Sequence, residues 1–242
     1  MNIRIRPIAL CEGPRDLSYW TFRMNAGIKS SSVCYVWYIE GIQPRILIDA
    51  GAKASLFTAM GIPETDLISV EAGLGRLGLK PGDIDIVIVT HLHVDHIALG
   101  YLYENARFIV QKKELDYACK PHPFDANLYD RSLFNSLNIE VIVGEKEIVP
   151  GVTVFPTPGH SPGGQSVEVN TAAGNAIITG FCCCMSNFVQ TEEMKRRGWE
   201  VTVPELHHNC LEVYDSILRV KQRADIILPL HEAAFITTES IP

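Results

Sequence analysis

A chain of 242 residues, 47% of them apolar, is long enough to bury a full core as one domain spanning 1–242. Its formal charge of −7, from 21 basic and 28 acidic residues with no basic run, excludes a nucleic-acid backbone as an expected partner. No apolar stretch has the length of a membrane span, and the first residues lack the apolar core of a signal peptide. The seven cysteines are odd in number, with Cys182, Cys183 and Cys184 adjacent, so free thiols in a reducing cytoplasm are expected.

The N-terminal residues Met1 to Arg6 alternate apolar and charged side chains and predict a strand. Gly13 to Met24 reads as a loop rich in aromatics. It either covers a sheet edge or brings Tyr19, Trp20 and Phe22 to a substrate pocket, and Tyr19-Trp20 is also a candidate homodimer contact. Ser32 to Glu40 and Arg45 to Gly51 predict strands, the second ending in Asp49-Ala50-Gly51. Apolar positions Leu67, Val70, Leu74 and Leu77 predict a helix over 63–79, closed by Gly78 and Pro81-Gly82. Ile84 to Val89 then forms a buried strand, and it ends in His91, His93, Asp95 and His96. Imidazole and carboxylate suit a borderline ion such as Zn²⁺, and side chains two apart in extended chain point the same way. A solvated polar turn is the bland alternative, yet it gives no reason to place three of eight histidines within six residues.

Arg107 to Val110 predicts a strand and Lys112 to Cys119 a short helix, broken at Pro121-His122-Pro123. His122 reads as a surface residue, and the aromatic segment that follows, to Leu137, suits a lid. Strands over 139–143 and 152–155 lead to Pro156-Thr157-Pro158-Gly159-His160-Ser161-Pro162-Gly163-Gly164, where prolines and glycines hold a histidine in a rigid loop. Paired strands over 165–169 and 175–180, joined by a Gly-Asn turn, run into Gly180-Phe181-Cys182-Cys183-Cys184. If Phe181 points into the core, alternation turns Cys182 the other way, while Cys183 and Cys184 read as packing residues. His207 and His208 precede a helix that Asn209 can cap; such histidines usually lie at the surface, with a substrate or metal role as the lesser alternative. The last strand, from Asp225 to Leu230, ends at His231.

The phrase His-Leu-His-Val-Asp-His after an apolar strand resembles the signature of the metallo-β-lactamase superfamily, and Pro-Gly-His160 and Pro-Leu-His231 fall where that family places its later ligands. The resemblance implies an α/β fold, a four-layered αββα sandwich. It implies that His91, His93 and His160 hold one metal and that Asp95, His96 and His231 hold a second, with Cys182 an additional ligand. Asp49 would brace the ligand loops without binding metal. Two Zn²⁺ per chain are expected, with Fe, Mn or Co also compatible. The family's bridging aspartate normally follows the strand that ends here at Gly180, and this chain has Phe181-Cys182 instead. The chemistry implied is a hydrolase in which a metal-bound hydroxide opens a lactone or cleaves a related ester, with Asp95 as the catalytic carboxylate. Among the branches, the whole-chain arrangement is most similar to the N-acyl-homoserine lactone lactonases. A thioesterase of the same superfamily, or a metal-binding scaffold without turnover, are the alternatives. In each case the partner is a small molecule.

Overall fold

The computed structural model describes residues 3–242. One sheet contains β1 (Arg4–Asp16), β2 (Lys29–Glu40), β3 (Ile46–Ile48), β4 (Thr65–Asp66), β5 (Ile86–Ile88), β6 (Arg107–Gln111) and β7 (Ile139–Ile142). Their spatial order is β4-β1-β2-β3-β5-β6-β7, antiparallel from β4 to β3 and parallel from β3 to β7. The other sheet contains β8 (Lys146–Val149), β9 (Val152–Pro156), β10 (Gln165–Thr171), β11 (Gly174–Ile178) and β12 (Ile226–Leu228), in the order β12-β11-β10-β9-β8. Only β11 and β12 are parallel in it. The helices are α1 (Ala54–Ala59), α2 (Val70–Gly75), α3 (Val94–Ile97), α4 (Lys112–Ala118), α5 (Glu192–Arg197) and α6 (Cys210–Arg223).

The layering follows from a period of two in side-chain direction. Ile46, Ile48, Ile86 and Ile88 face inward and meet Val152, Val154, Val167, Val169 and Ile178 of the other sheet in one buried cluster. Leu47 and Val87, the residues between them, face outward and pack with Val70 and Leu74 of α2. On the far side Phe155 and Ile177 pack against Val213, Ile217 and Val220 of α6. Helices thus cover both outer faces of two stacked sheets, the αββα arrangement. Each such side chain withdrawn from water contributes roughly 1.5–3 kcal/mol. A one-residue slip of β5 would exchange its two faces and carry His91 and His93 away with them.

Two local readings are corrected. The stretch 63–79 is not one helix: Thr65 and Asp66 pair with β1, and Ser69 starts α2 by accepting the Ala72 N–H. Glycines at 73, 75 and 78 weaken helix over that stretch, and Leu67 is left outside it. Nor is Gly13 to Asp16 a loop, because β1 pairs with β2 as far as Asp16 opposite Lys29. The hairpin between β10 and β11 turns at Ala172-Ala173, with Thr171 opposite Gly174. Among the described residues no helix is long and apolar enough to cross a membrane.

Candidate metal centre

Side chains with metal-binding chemistry gather where strands end. Asp49 follows β3, His91 to His96 follow β5, His160 follows β9, Cys182 follows β11 and His231 follows β12. In open sheets with parallel strands, this carboxyl end is where ligands bind. Two triads form there, His91 with His93 and His160, and Asp95 with His96 and His231. Within each, the ligand atoms lie within 4.8 Å of one another. The five histidines are all buried, between 0% and 5% exposed.

Which imidazole nitrogen is free can be worked out from hydrogen bonds. His160 Nδ1 donates to the Leu206 carbonyl at 2.8 Å, and His231 Nδ1 donates to the Val33 carbonyl at 3.0 Å. His96 Nδ1 lies 2.7 Å from Asp49 Oδ2. The Thr90 hydroxyl donates its single proton to Asp49 Oδ2 at 2.9 Å, so it accepts from His91 Nδ1 at 3.0 Å. Nε2 of His91, His160 and His231 is left as a lone pair, and that of His96 becomes one once an ion takes the place of its proton, which is how partners behind a metal ligand fix its tautomer. His91 Nε2 and His160 Nε2 then face each other, lone pair to lone pair, at 3.1 Å. His96 Nε2 is buried without a hydrogen-bond partner, although Asp95 Oδ2 is only 3.2 Å away. Opposed lone pairs and an orphaned ring nitrogen are each relieved by a cation, so both triads fit metal ions.

The charge balance agrees. Burial pushes His91 and His93 well below the usual imidazole range, and takes His160 down to about 4 and His231 to about 3. These rings are neutral near pH 7. Burial also opposes charge on His96, but Asp95 and Asp49 outweigh it and raise this ring to about 10. Burial works against the Asp95 carboxylate as well, and His96 and His231 overcome that and hold its pKa below the usual range. Two carboxylates in a dry pocket demand positive charge, and a proton on His96 supplies it when no ion does.

The loops are held by buried polar groups and close backbone contacts. Asp49 adopts φ 59°, a left-handed conformation uncommon outside glycine. In that pose Oδ1 accepts the Thr90 N–H at 2.7 Å while Oδ2 serves Thr90 and His96. Glu114 of α4, 1% exposed, accepts the Leu92 N–H at 2.9 Å and the Gly163 N–H at 3.0 Å, tying the first ligand loop to the His160 loop. A Cβ on Gly163 would come within 2.1 Å of the Glu114 nitrogen, and one on Gly159 within 2.1 Å of the Val213 nitrogen. The glycines around His160 are there because neighbouring backbone leaves no room for a side chain.

The other predicted site residues divide. Tyr19 and Trp20 line the cavity over the triads, and Trp20 stacks on His231 with ring centroids 5.4 Å apart. Trp20 is 1% exposed, with its ring turned into the protein. Phe22 and His207 pack on each other at 5.0 Å and stay out of the cavity wall, where Leu206 is placed instead. The loop that carries His207 is turned by its Nδ1 donating to the Pro204 carbonyl at 2.8 Å. Phe181 is buried with Phe155, Phe188 and Val213, and Cys182 turns the opposite way to line the cavity beside Asp95. Cys182 nevertheless belongs to neither triad. Cys183 is buried with Phe181, while Cys184 packs with Trp20 and Cys182.

Sequence reasoning missed Glu114, whose setting in Lys112-Lys113-Glu114 looks like a solvated face, and Thr90, whose role depends on Asp49 from another strand. It also missed Arg15 and the apolar wall of Phe57, Met60, Ile62, Leu128 and Leu206. Tyr129 was read only as an aromatic residue of a lid segment; its ring packs on His93 at 4.8 Å.

Comparison with known proteins places this architecture. Residues 32–180 match the family described as the Metallo-beta-lactamase superfamily. An N-acyl homoserine lactonase of Bacillus thuringiensis is 34% identical over 214 residues, covering 82% of this chain and 80% of that one. The crystal structure of a B. thuringiensis AiiA variant with N-decanoyl-L-homoserine bound at its active site aligns over 100% of both chains, with a TM-score of 0.77 and 25% identity. A second structure, an N-acyl homoserine lactone hydrolase with N-hexanoyl-L-homoserine at its catalytic metal center, gives 0.76 and 25% over 100% of both chains. With the family match covering well over half of the chain, the protein belongs to the metallo-beta-lactamase superfamily and is a metal-dependent hydrolase.

Proposed function

We propose that the protein is a binuclear lactonase that opens the ester ring of N-acyl homoserine lactones. The observation that carries this reading is the pair of compact, buried triads, in which hydrogen bonds to Nδ1 of His91, His96, His160 and His231 leave Nε2 available to an ion. The lactonases at 34% identity give the reaction its direction, and they lend no support to a thioesterase or to a scaffold without turnover. His91, His93 and His160 hold one ion, and Asp95, His96 and His231 the other. Cys182 is assigned as an additional donor to the second ion, since a thiolate that burial alone disfavours is stabilised by a neighbouring cation. Zn²⁺ suits this donor set, and Fe, Mn and Co fit it too. Bound there, two such ions supply a Lewis acid for the carbonyl and lower the pKa of water toward neutrality.

The chain's own residues supply the rest. Asp95, kept ionised, takes up the proton of the attacking water and returns it to the ring oxygen as the ester C–O bond breaks. Burial keeps the Tyr19 phenol protonated, so it is a hydrogen-bond donor facing the cavity. Trp20 excludes water on the His231 side. Phe57, Met60, Ile62, Leu128 and Leu206 offer an apolar wall for an acyl chain. The free thiols fit a reducing cytoplasm.

Metal analysis of protein purified without added metal, run beside a panel of lactone, ester and thioester substrates, tests the reading. About two ions per chain with turnover of N-hexanoyl-homoserine lactone is the expected result. One ion or none, with no lactone turnover, overturns it.

A further inference from the structure

Among the described residues, Arg15 is the only arginine or lysine on the wall of the metal cavity, and the chemistry above has no use for it. Its guanidinium carbon lies 6.0 Å from the centre of the ring of Tyr19, which lines the same cavity. Its other side meets Glu64, whose carboxylate is bonded at 2.5 Å and which follows Ile62 of the apolar wall by two residues. Arg15 therefore stands where the metal chemistry gives way to the apolar wall.

The Arg15 side chain is only 10% exposed, and that of Glu64 only 2%. A guanidinium carries five N–H donors. The structure gives Arg15 one bond to the Glu64 carboxylate and one to the Pro14 carbonyl, which leaves three donors without a protein acceptor. A largely covered guanidinium that keeps unused donors on a cavity wall is poised to donate to a ligand held there. Glu64 balances the charge, so the pair is neutral overall and has no need of an anion. A neutral, strong acceptor fits best, and a carbonyl oxygen is one.

We infer that Arg15 is a specificity-determining residue that donates to the exocyclic carbonyl oxygen of an acylamino substituent on the lactone, and that Glu64 positions it. This rests on the lactonase reading. It goes beyond it by assigning the recognition of the amide, as distinct from the ring or the alkyl chain, to one buried pair.

The test uses the metal-loaded protein and two substrates, N-hexanoyl-homoserine lactone and an α-alkyl-γ-butyrolactone of matched length that lacks the amide. Arg15→Met should raise KM for the amide lactone about 10- to 100-fold at nearly constant kcat, the size expected for a charge-assisted hydrogen bond. KM for the alkyl lactone should not move. Arg15→Lys should recover part of the loss, and Glu64→Gln should give a smaller rise confined to the amide substrate. Because Arg15→Met orphans a buried carboxylate, the double variant Arg15→Met with Glu64→Leu removes both charges and carries the comparison if the single variant fails to fold. Equal effects on the two substrates, or no effect on either, overturn the assignment while leaving the lactonase reading in place. Absence of turnover of both substrates by the unaltered protein overturns the lactonase reading, and this assignment with it.

Discussion

Asp49 shows how much of a metal site lies behind the ligands. Its backbone is held in the left-handed region, and one carboxylate fixes Thr90, through it His91 of the first triad, and directly His96 of the second. Asp49→Ala should therefore lower the affinity for both ions, by about 10- to 100-fold, as read by competition with a chromophoric chelator. Unchanged affinity would mean that the rings keep their tautomers without it. Glu114 makes a different prediction, one in pH. Burial raises its pKa above the usual carboxylate range, partly offset by the Leu92 and Gly163 N–H groups. A raised folded pKa adds stability that is fully present below the unfolded pKa and is lost as pH rises through the folded one. The stability of the parent relative to Glu114→Gln should thus fall across that window and be level on either side. Urea unfolding of both proteins at a series of pH values measures it, and a constant difference would contradict the sign. His91 and His93 were legible from their spacing at the end of an apolar strand, whereas His160 was legible only through the resemblance of its phrase to the family's second ligand motif. Glu114 and Thr90 were not, because a single charged or hydroxylic residue carries no mark of what a distant loop will bring to it.

At the scale of elements, the exit from β11 decides what replaces the family's usual carboxylate. Alternation holds through Gly180: Phe181 enters the outer core and Cys182 the cavity. The sequence carried this only conditionally: if Phe181 seeks the core, alternation sends Cys182 the other way. The helix over 63–79 could not be read so well. Its apolar spacing looked helical, but pairing of Thr65 and Asp66 with β1 outweighed the weak local propensity of a glycine-rich stretch. The β11 geometry yields a paired prediction. Cys182→Asp, aimed at the cavity, should bind the second ion at least as tightly as the parent, read by metal titration. Phe181→Asp should instead put an unpaired carboxylate among Phe155, Phe188 and Val213, and destabilise the fold by about 3–5 kcal/mol, read by urea unfolding. Tighter metal binding in Phe181→Asp would show that the strand exit can turn over, and that the alternation argument fails here.

Over the whole molecule, ions held by the two triads would act as a clasp between sheets. His91, His93, Asp95 and His96 follow strand β5 of the first sheet, whereas His160 and His231 follow β9 and β12 of the second. Each triad draws on both, so an ion in either position ties the halves together at the edge where the inter-sheet core ends. A ligand that binds only the folded chain stabilises it by about 2.7 kcal/mol at a hundredfold excess over its dissociation constant. For a chain of this size each kcal/mol moves the midpoint by about 2–4 °C. Stripping the metal with a chelator should then lower Tm by about 5–10 °C per ion, and readdition of Zn²⁺ should restore it. His160→Ala should abolish the part of that shift due to the first ion, and His231→Ala the part due to the second, because each removes the second sheet's contribution to its triad. Calorimetry on the parent and both variants, with and without chelator, separates the two shifts. If either variant keeps the parent's full shift, its triad does not clasp the sheets, and the stability of this fold rests on the inter-sheet core of Ile46, Ile48, Ile86, Ile88, Val154 and Val167 alone.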